Sequence, residues 1–220
     1  MKSDALELRC PAKINLFLHI IGRREDGYHL LQSVFQLIDW CDVLTLKGIP
    51  ENEVRRIKPI PGVPPEQDLV VRAAQLLKEH CKINRGVEIS LQKNIPMGAG
   101  LGGGSSDAAS TLIGLNTLWD LHLDIATLCQ LGLKLGADVP FFIFGQNAFV
   151  EGVGEKLMAI SLETQDFLVI FPNQGIATAQ IFQDSHLTRD HAPITIDGFL
   201  ASPRSYQSND CQAVAVQKYP

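Results

Sequence analysis

Residues 96–110 read PMGAGLGGGSSDAAS, and five of the seven residues from Gly98 to Gly104 are glycine. Glycine at this density makes a poor core and a poor helix. What it permits is a backbone that approaches a ligand closely, with several N–H groups turned to one point, and such a concavity binds anions. The stretch follows GVEISLQ (86–92), whose alternation reads as a strand. It opens a helix that Ser105 or Ser106 is expected to cap, with Ala108, Leu112, Leu115 and Trp119 on one face. The positive end of that helix would add to the attraction for a phosphate. A flexible linker is the plain alternative, but linkers have polar flanks, and this stretch lies between a strand and an apolar-faced helix.

Two other nucleotide motifs compete for the same glycines. A Walker A loop needs a Lys after its last glycine, and none follows here. Gly98, Gly100 and Gly103 match a dinucleotide fingerprint literally, with Asp120 near the expected acidic position. That acid should end a second strand, whereas Asp120 follows Trp119 at the end of a helix, and Pro96 sits awkwardly in the first strand. A dinucleotide-dependent oxidoreductase stays as the rival from another class.

Working outward, residues 5–10 and 14–21 read as two strands separated by Pro11, and 30–47 as further strand-like runs after a charged turn at 22–29. Five prolines between 48 and 67 predict irregular connection. Asp68 is an expected N-cap for a helix facing inward through Leu69, Ala73, Leu76, Leu77 and His80. Asp124 is expected to cap another, with Ile125, Leu128, Leu131 and Leu135 inside and Gly136 as its stop. Residues 147–151 and 166–171 read as strands, and a domain boundary is expected near residue 155. The sum is an α+β or mixed α/β chain.

Composition narrows the function. With 220 residues the chain holds one large domain or two small ones. Its 19 basic residues are scattered among 24 acidic ones, which argues against a general nucleic-acid binder. The five cysteines form no CxxC pair and no zinc spacing, so free thiols in a reducing cytoplasm are expected. The charged N-terminus does not read as a signal peptide, and no run of 18 apolar residues suggests a membrane span.

Proline, a glycine loop and Ser-Ser at a helix start resemble the ATP loop of the GHMP kinases, a superfamily that includes galactokinase, homoserine kinase and mevalonate kinase. Further segments bring the resemblance closer. PAKINLFLHIIGRREDGYHLLQSVFQ (11–36), DLVVRAA (68–74), PMGAGLGGGSSDAA (96–109), LGADVPFF (135–142) and EGVGE (151–155) are together similar to the kinases of 4-diphosphocytidyl-2-C-methyl-D-erythritol. The match runs from about residue 8 to about residue 211. The resemblance implies ATP-dependent phosphorylation of the 2-hydroxyl of that small molecule, in the non-mevalonate route to isoprenoids. It implies an N-terminal domain like domain 2 of ribosomal protein S5 over 1–155. An incomplete ferredoxin-like domain is expected over 156–220. Another GHMP kinase with a different acceptor, or a catalytically silent ATP-binding relative, are the neighbouring alternatives.

The resemblance also assigns residues. Lys13 and Asp138 form the catalytic pair: the Lys supplies charge, and the Asp accepts the hydroxyl proton or orients it. Read without the family, Lys13 would be a solvated edge-strand charge and Asp138 a helix cap. ATP is expected on Pro96, Met97, Gly98, Ala99, Gly100, Leu101, Gly102, Gly103, Gly104, Ser105 and Ser106, with Lys93 and Asp68 near adenine. Asp68 stands where the family often has Asn. Mg²⁺ is expected with the ATP, without assigned ligands. Asn15 is expected on the substrate near Lys13, and Tyr28, His29 and Phe182 at the cytidine. The family carries a later Gly-Thr-Gly-Ala loop that has no counterpart before Pro220. The expectation drawn from this is ATP binding with weak turnover or none, and a tendency to associate or aggregate.

Overall fold

In the computed structural model, described over residues 5–176 and 178–220, the chain forms two compact units built from interleaved segments. Unit 1 comprises Met1–Ala12, Ile38–Ile95 and Gly102–Gly145; unit 2 comprises Lys13–Leu37, Pro96–Leu101 and Gln146–Pro220. Two long strands, β1 (Ala5–Arg23) and β2 (His29–Ile49), contribute residues to both.

The two strands expected on either side of Pro11 are one continuous β1. A proline removes one ladder donor, which β1 tolerates because β2 is its one strand neighbour among the described residues, although Leu18 also bridges Asn209. In unit 1, Val43–Ile49 of β2 run antiparallel to Gly86–Gln92, β4, in the register Val43 with Gln92. The proline-rich connection is not wholly irregular, because β3 (Val54–Arg56) pairs in parallel with β4. Three residues are too few to show a period in the sequence.

The helices of unit 1 lie where capping chemistry puts them. The Asp68 carboxylate accepts from the N–H of Val70 and starts α1 (Leu69–Cys81). Its buried face is Val70, Val71, Ala73, Ala74 and Leu77, so the expected face is rotated, with His80 exposed. Asp124 accepts from Thr127 N and caps α3 (Ile125–Leu133). That helix buries Leu128 and Leu131, leaves Ile125 exposed, and ends three residues before Gly136. Helix α2 (Gly103–Leu118) is buried on nearly every side, against α1 and against α4 (Val139–Phe144), whose sequence is VPFFIF.

In unit 2, Ser33–Phe35 of β2 pair with β5 (Ala148–Glu151), and β5 pairs with β6 (Lys156–Ala159), a strand missed in the sequence. Phe17, Val34, Phe149 and Phe199 form one core cluster; Ile20, Ile181, Leu187 and Val214 form another. The second lies between β1, α5 (Thr178–Phe182) and α7 (Cys211–Lys218); α6 (Ile196–Ala201) supplies Phe199 to the first. The strand expected at 166–171 has no regular secondary structure and pairs with no strand among the described residues, with Leu168 89% and Ile170 80% exposed. β-Propensity is satisfied only where a neighbour accepts the ladder.

All five cysteines are free. Among the described residues no helix is long and apolar enough to cross a membrane.

Candidate active site

The glycine loop has the backbone its sequence calls for. Gly98, Gly100 and Gly102 have φ of +72°, +74° and +71°, a left-handed conformation that other residues rarely adopt. In unit 2 the loop is anchored at both flanks. Gly98 O accepts from Ile176 N at 3.2 Å, and a Cβ on Gly98 would lie 3.1 Å from Gly175 Cα. Leu101 O accepts from Lys13 N at 2.9 Å.

In unit 1 the loop runs into α2. Its N-cap is Gly102, not Ser105 or Ser106, and no side chain caps it. A left-handed cap residue favours glycine, and both serines fall inside the first turns. No capping oxygen therefore claims the first-turn N–H groups, which suits an anion at this end. Ser106 Oγ is buried without a hydrogen-bond partner among the described residues. A Cβ on Gly136 would lie 3.8 Å from Ser105 Oγ, which sets the LGADVP segment beside the start of α2.

Beneath that start lies a buried ionic cluster that the sequence did not reveal. Lys93 Nζ donates to Asp42 Oδ2 and, at 2.8 Å, to Asp107 Oδ2. The other oxygen of Asp42 accepts from Asn94 N (2.6 Å) and Ile95 N (2.8 Å). Burial, reinforced by Asp42, pushes the Asp107 carboxyl up to about 7 against the opposing pull of Lys93. Burial disfavours the charge of Lys93, but its two carboxylates outweigh it and raise its pKa. Gly103 packs onto this cluster, where a Cβ would meet Ile95 Cγ2 at 3.1 Å and Lys93 Nζ at 3.2 Å. Lys93, expected near adenine, therefore ties the end of β4 to α2. Asp68 caps α1 and pairs with Arg56 at 3.0 Å, both side chains being nearly buried.

Lys13 is 5% exposed, so it is not a solvated edge-strand charge. Its Nζ donates to Asn15 Oδ1 at 2.6 Å and lies 4.3 Å from the centre of the Phe35 ring. A cation is costly to bury without partners, and here a carbonyl oxygen and a ring face supply them. Asp138 stands at the N-cap position of α4 with αR backbone, and its side chain makes no capping bond. Pro140 at the start of α4 already suits that helix end.

Around the expected cytidine site, Tyr28 is 63% exposed in the turn before β2. The ring of His29 lies 5.1 Å from that of Phe182, tilted by 43°. Phe182 is half-buried at the edge of the Ile20 cluster rather than within it. Arg189, unremarked in the sequence, donates to His29 Nε2 at 3.0 Å. Burial, then Arg189 and Arg23, lower the His29 pKa. Among the described residues no group of three or more His, Cys, Asp or Glu side chains forms a metal centre.

Residues 68–146 match the model of the GHMP kinases N terminal domain. A 4-diphosphocytidyl-2-C-methyl-D-erythritol kinase from Polynucleobacter necessarius is 78% identical over 217 residues, covering 99% of this chain and 73% of that protein. One from Burkholderia mallei is 56% identical over 95% of this chain and 74% of its own length. Among solved structures, a 4-(cytidine 5'-diphospho)-2C-methyl-D-erythritol kinase superposes with a TM-score of 0.81 at 32% identity, covering 98% of this chain and 79% of the other. A homoserine kinase from Cytophaga hutchinsonii, 17% identical with a TM-score of 0.60 over 91% of this chain and 64% of its own, shares the fold.

Proposed function

We propose that this chain, which belongs to the 4-diphosphocytidyl-2-C-methyl-D-erythritol kinases of the GHMP kinase family, transfers the γ-phosphoryl group of ATP to the 2-hydroxyl of that substrate. The observation that carries the reading is the uncapped start of α2 behind three left-handed glycines. It offers N–H groups and a helix dipole to a polyphosphate, with no side-chain capping bond competing for them.

Phosphoryl transfer asks the protein for positioning and charge neutralisation more than for covalent chemistry. The loop from Pro96 to Ser106 holds the phosphates. Lys93 supports that loop from below, through Asp107 and Asp42. Lys13 neutralises charge at the acceptor, with Asn15 fixing its ammonium. Asp138 takes the proton of the acceptor hydroxyl. Ser106 Oγ, buried in α2 without a partner among the described residues, is the protein group that would help to hold an Mg²⁺ bound with the nucleotide, and that ion would neutralise phosphate charge.

Tyr28, His29 and Phe182 take the cytidine end, the rings by stacking and His29 at the base edge. Phe182→Ala is expected to weaken binding of the cytidine-bearing substrate by about 1–3 kcal/mol, the range for a base stacked on an aromatic ring. ATP affinity should not change. Calorimetric titration of both ligands checks this; an equal loss for both would mean a damaged Ile20 cluster and no stacking role. Acceptors with and without the CMP moiety, compared in the same titration, test the substrate class directly. Equal affinity for the two would point to a GHMP kinase with another acceptor.

A further inference from the structure

The guanidinium of Arg189 makes four hydrogen bonds within unit 2. Nε donates to His29 Nε2 (3.0 Å), one terminal nitrogen to Leu187 O (2.9 Å), and the other to Asp184 O (2.6 Å) and Phe182 O (3.3 Å). Leu187 is buried in the Ile20 cluster, so the segment that carries Arg189 is fixed by packing. Three carbonyl oxygens thus hold the guanidinium so that its Nε–H points at one ring nitrogen of His29.

An arginine has five N–H donors, no acceptor, and does not lose its proton. A nitrogen that accepts from it must present a lone pair. His29 Nε2 is therefore unprotonated, and a neutral imidazole then carries its single proton on Nδ1. The charged groups around His29 work the same way: Arg189, and Arg23 at the end of β1, both oppose an imidazolium, and burial opposes it further. On the Arg189 segment, Asp184 is paired with Lys218 at 2.7 Å, and Asp190 follows Arg189 directly in the chain. No group among the described residues takes up the Nδ1–H of His29.

We propose that Arg189 is a positioning residue for nucleobase choice: it locks His29 as an Nδ1–H donor, which accepts cytosine and rejects uracil. This rests on the reading of Tyr28, His29 and Phe182 as the pyrimidine site. The two bases stack alike, and they differ at the edge. Cytosine presents a bare ring nitrogen at position 3, an acceptor that matches Nδ1–H. Uracil presents N3–H there, so two donors would meet and both would lose their partners to water. The opposite tautomer of His29 would invert this preference. A histidine free to exchange tautomers would discriminate poorly, and the guanidinium removes that freedom. The bond from the same guanidinium to Phe182 O keeps the stacking ring and the reading ring in one arrangement.

Two measurements test this on the full chain. Nitrogen-15 NMR of the histidine-labelled protein without ligand should show His29 protonated on Nδ1 and bare on Nε2; a predominantly Nε2-protonated His29 would overturn the proposal whatever any variant does. Competitive titration of CDP and UDP should then show CDP bound about tenfold or more tighter, because a site built to pair one edge rejects its mismatch. In Arg189→Met that ratio should fall towards one while ATP affinity is kept, and His29 should titrate at a higher pH. If the parent binds neither diphosphate, the pyrimidine-site reading fails and the proposal with it. If the parent prefers CDP and Arg189→Met keeps the full preference, the site stands and the role of Arg189 is refuted.

Discussion

Asp138→Asn is expected to lower turnover by about 10²–10⁴-fold, the range for loss of a positioned general base, with little change in affinity for ATP or for the diphosphocytidyl substrate. An amide has nearly the shape of a carboxylate but cannot accept the proton of the acceptor hydroxyl. The fold should tolerate the change, since the Asp138 side chain does not cap α4 and that helix is held by buried Val139, Phe141 and Phe142. Single-turnover kinetics beside calorimetric affinities separate the two effects. Turnover within a few-fold of the parent would remove Asp138 from the proton transfer.

Gly102→Val should weaken ATP by about 10²-fold, and Gly103→Val by a similar factor, for different reasons. At Gly102 the obstacle is the backbone: φ is +71°, and a β-branched residue held there costs about 1–3 kcal/mol, which the loop avoids by leaving the conformation that presents its N–H groups. At Gly103 φ is not positive, so strain is not the issue. Valine there would press on Ile95 and on Lys93 Nζ, and so on the cluster beneath α2. Gly145→Ala is the control. Its φ is +70° at the C-cap of α4, with only Ile143 O within 4 Å of a Cβ. It should cost stability and leave ATP affinity alone. Unchanged ATP affinity in both loop variants would remove the loop from the nucleotide site.

The sequence told most where the signal is local. Asp68 and Asp124 cap the helices they were expected to cap, and Ala108, Leu112 and Leu115 on α2 and Trp119 at its C-cap are all buried. It told least where a partner lies far along the chain. β3 and β6 are three and four residues long and exist because β4 and β5 receive them. Conversely DFLVIF, at 166–171, has strand composition but pairs with no strand among the described residues. The N-cap of α2 was misread because serine is the commoner cap, whereas a left-handed cap selects Gly102.

The same holds at the candidate site. The glycine loop was legible because a run of glycines has few other uses. The partners of Lys93 were not, since Asp42 lies 51 residues before it. The local signal for them is slight: a single carboxylate in the apolar context WCDVL and another among the small residues SSDAAS. Arg189 bonds a ring 160 residues away and carries no local mark. The resemblance named Lys13 and Asp138. Burial of Lys13 against Phe35 and Asn15 removes the solvated alternative that composition alone left open.

The most direct test of the central claim is ADP release from ATP, measured by a coupled assay with two acceptors, 4-diphosphocytidyl-2-C-methyl-D-erythritol and the same polyol phosphate without its CMP moiety. The account predicts release that depends on the diphosphocytidyl acceptor and is lost in Asp138→Asn. Release at equal rates with both acceptors, or release that Asp138→Asn leaves intact, would contradict it.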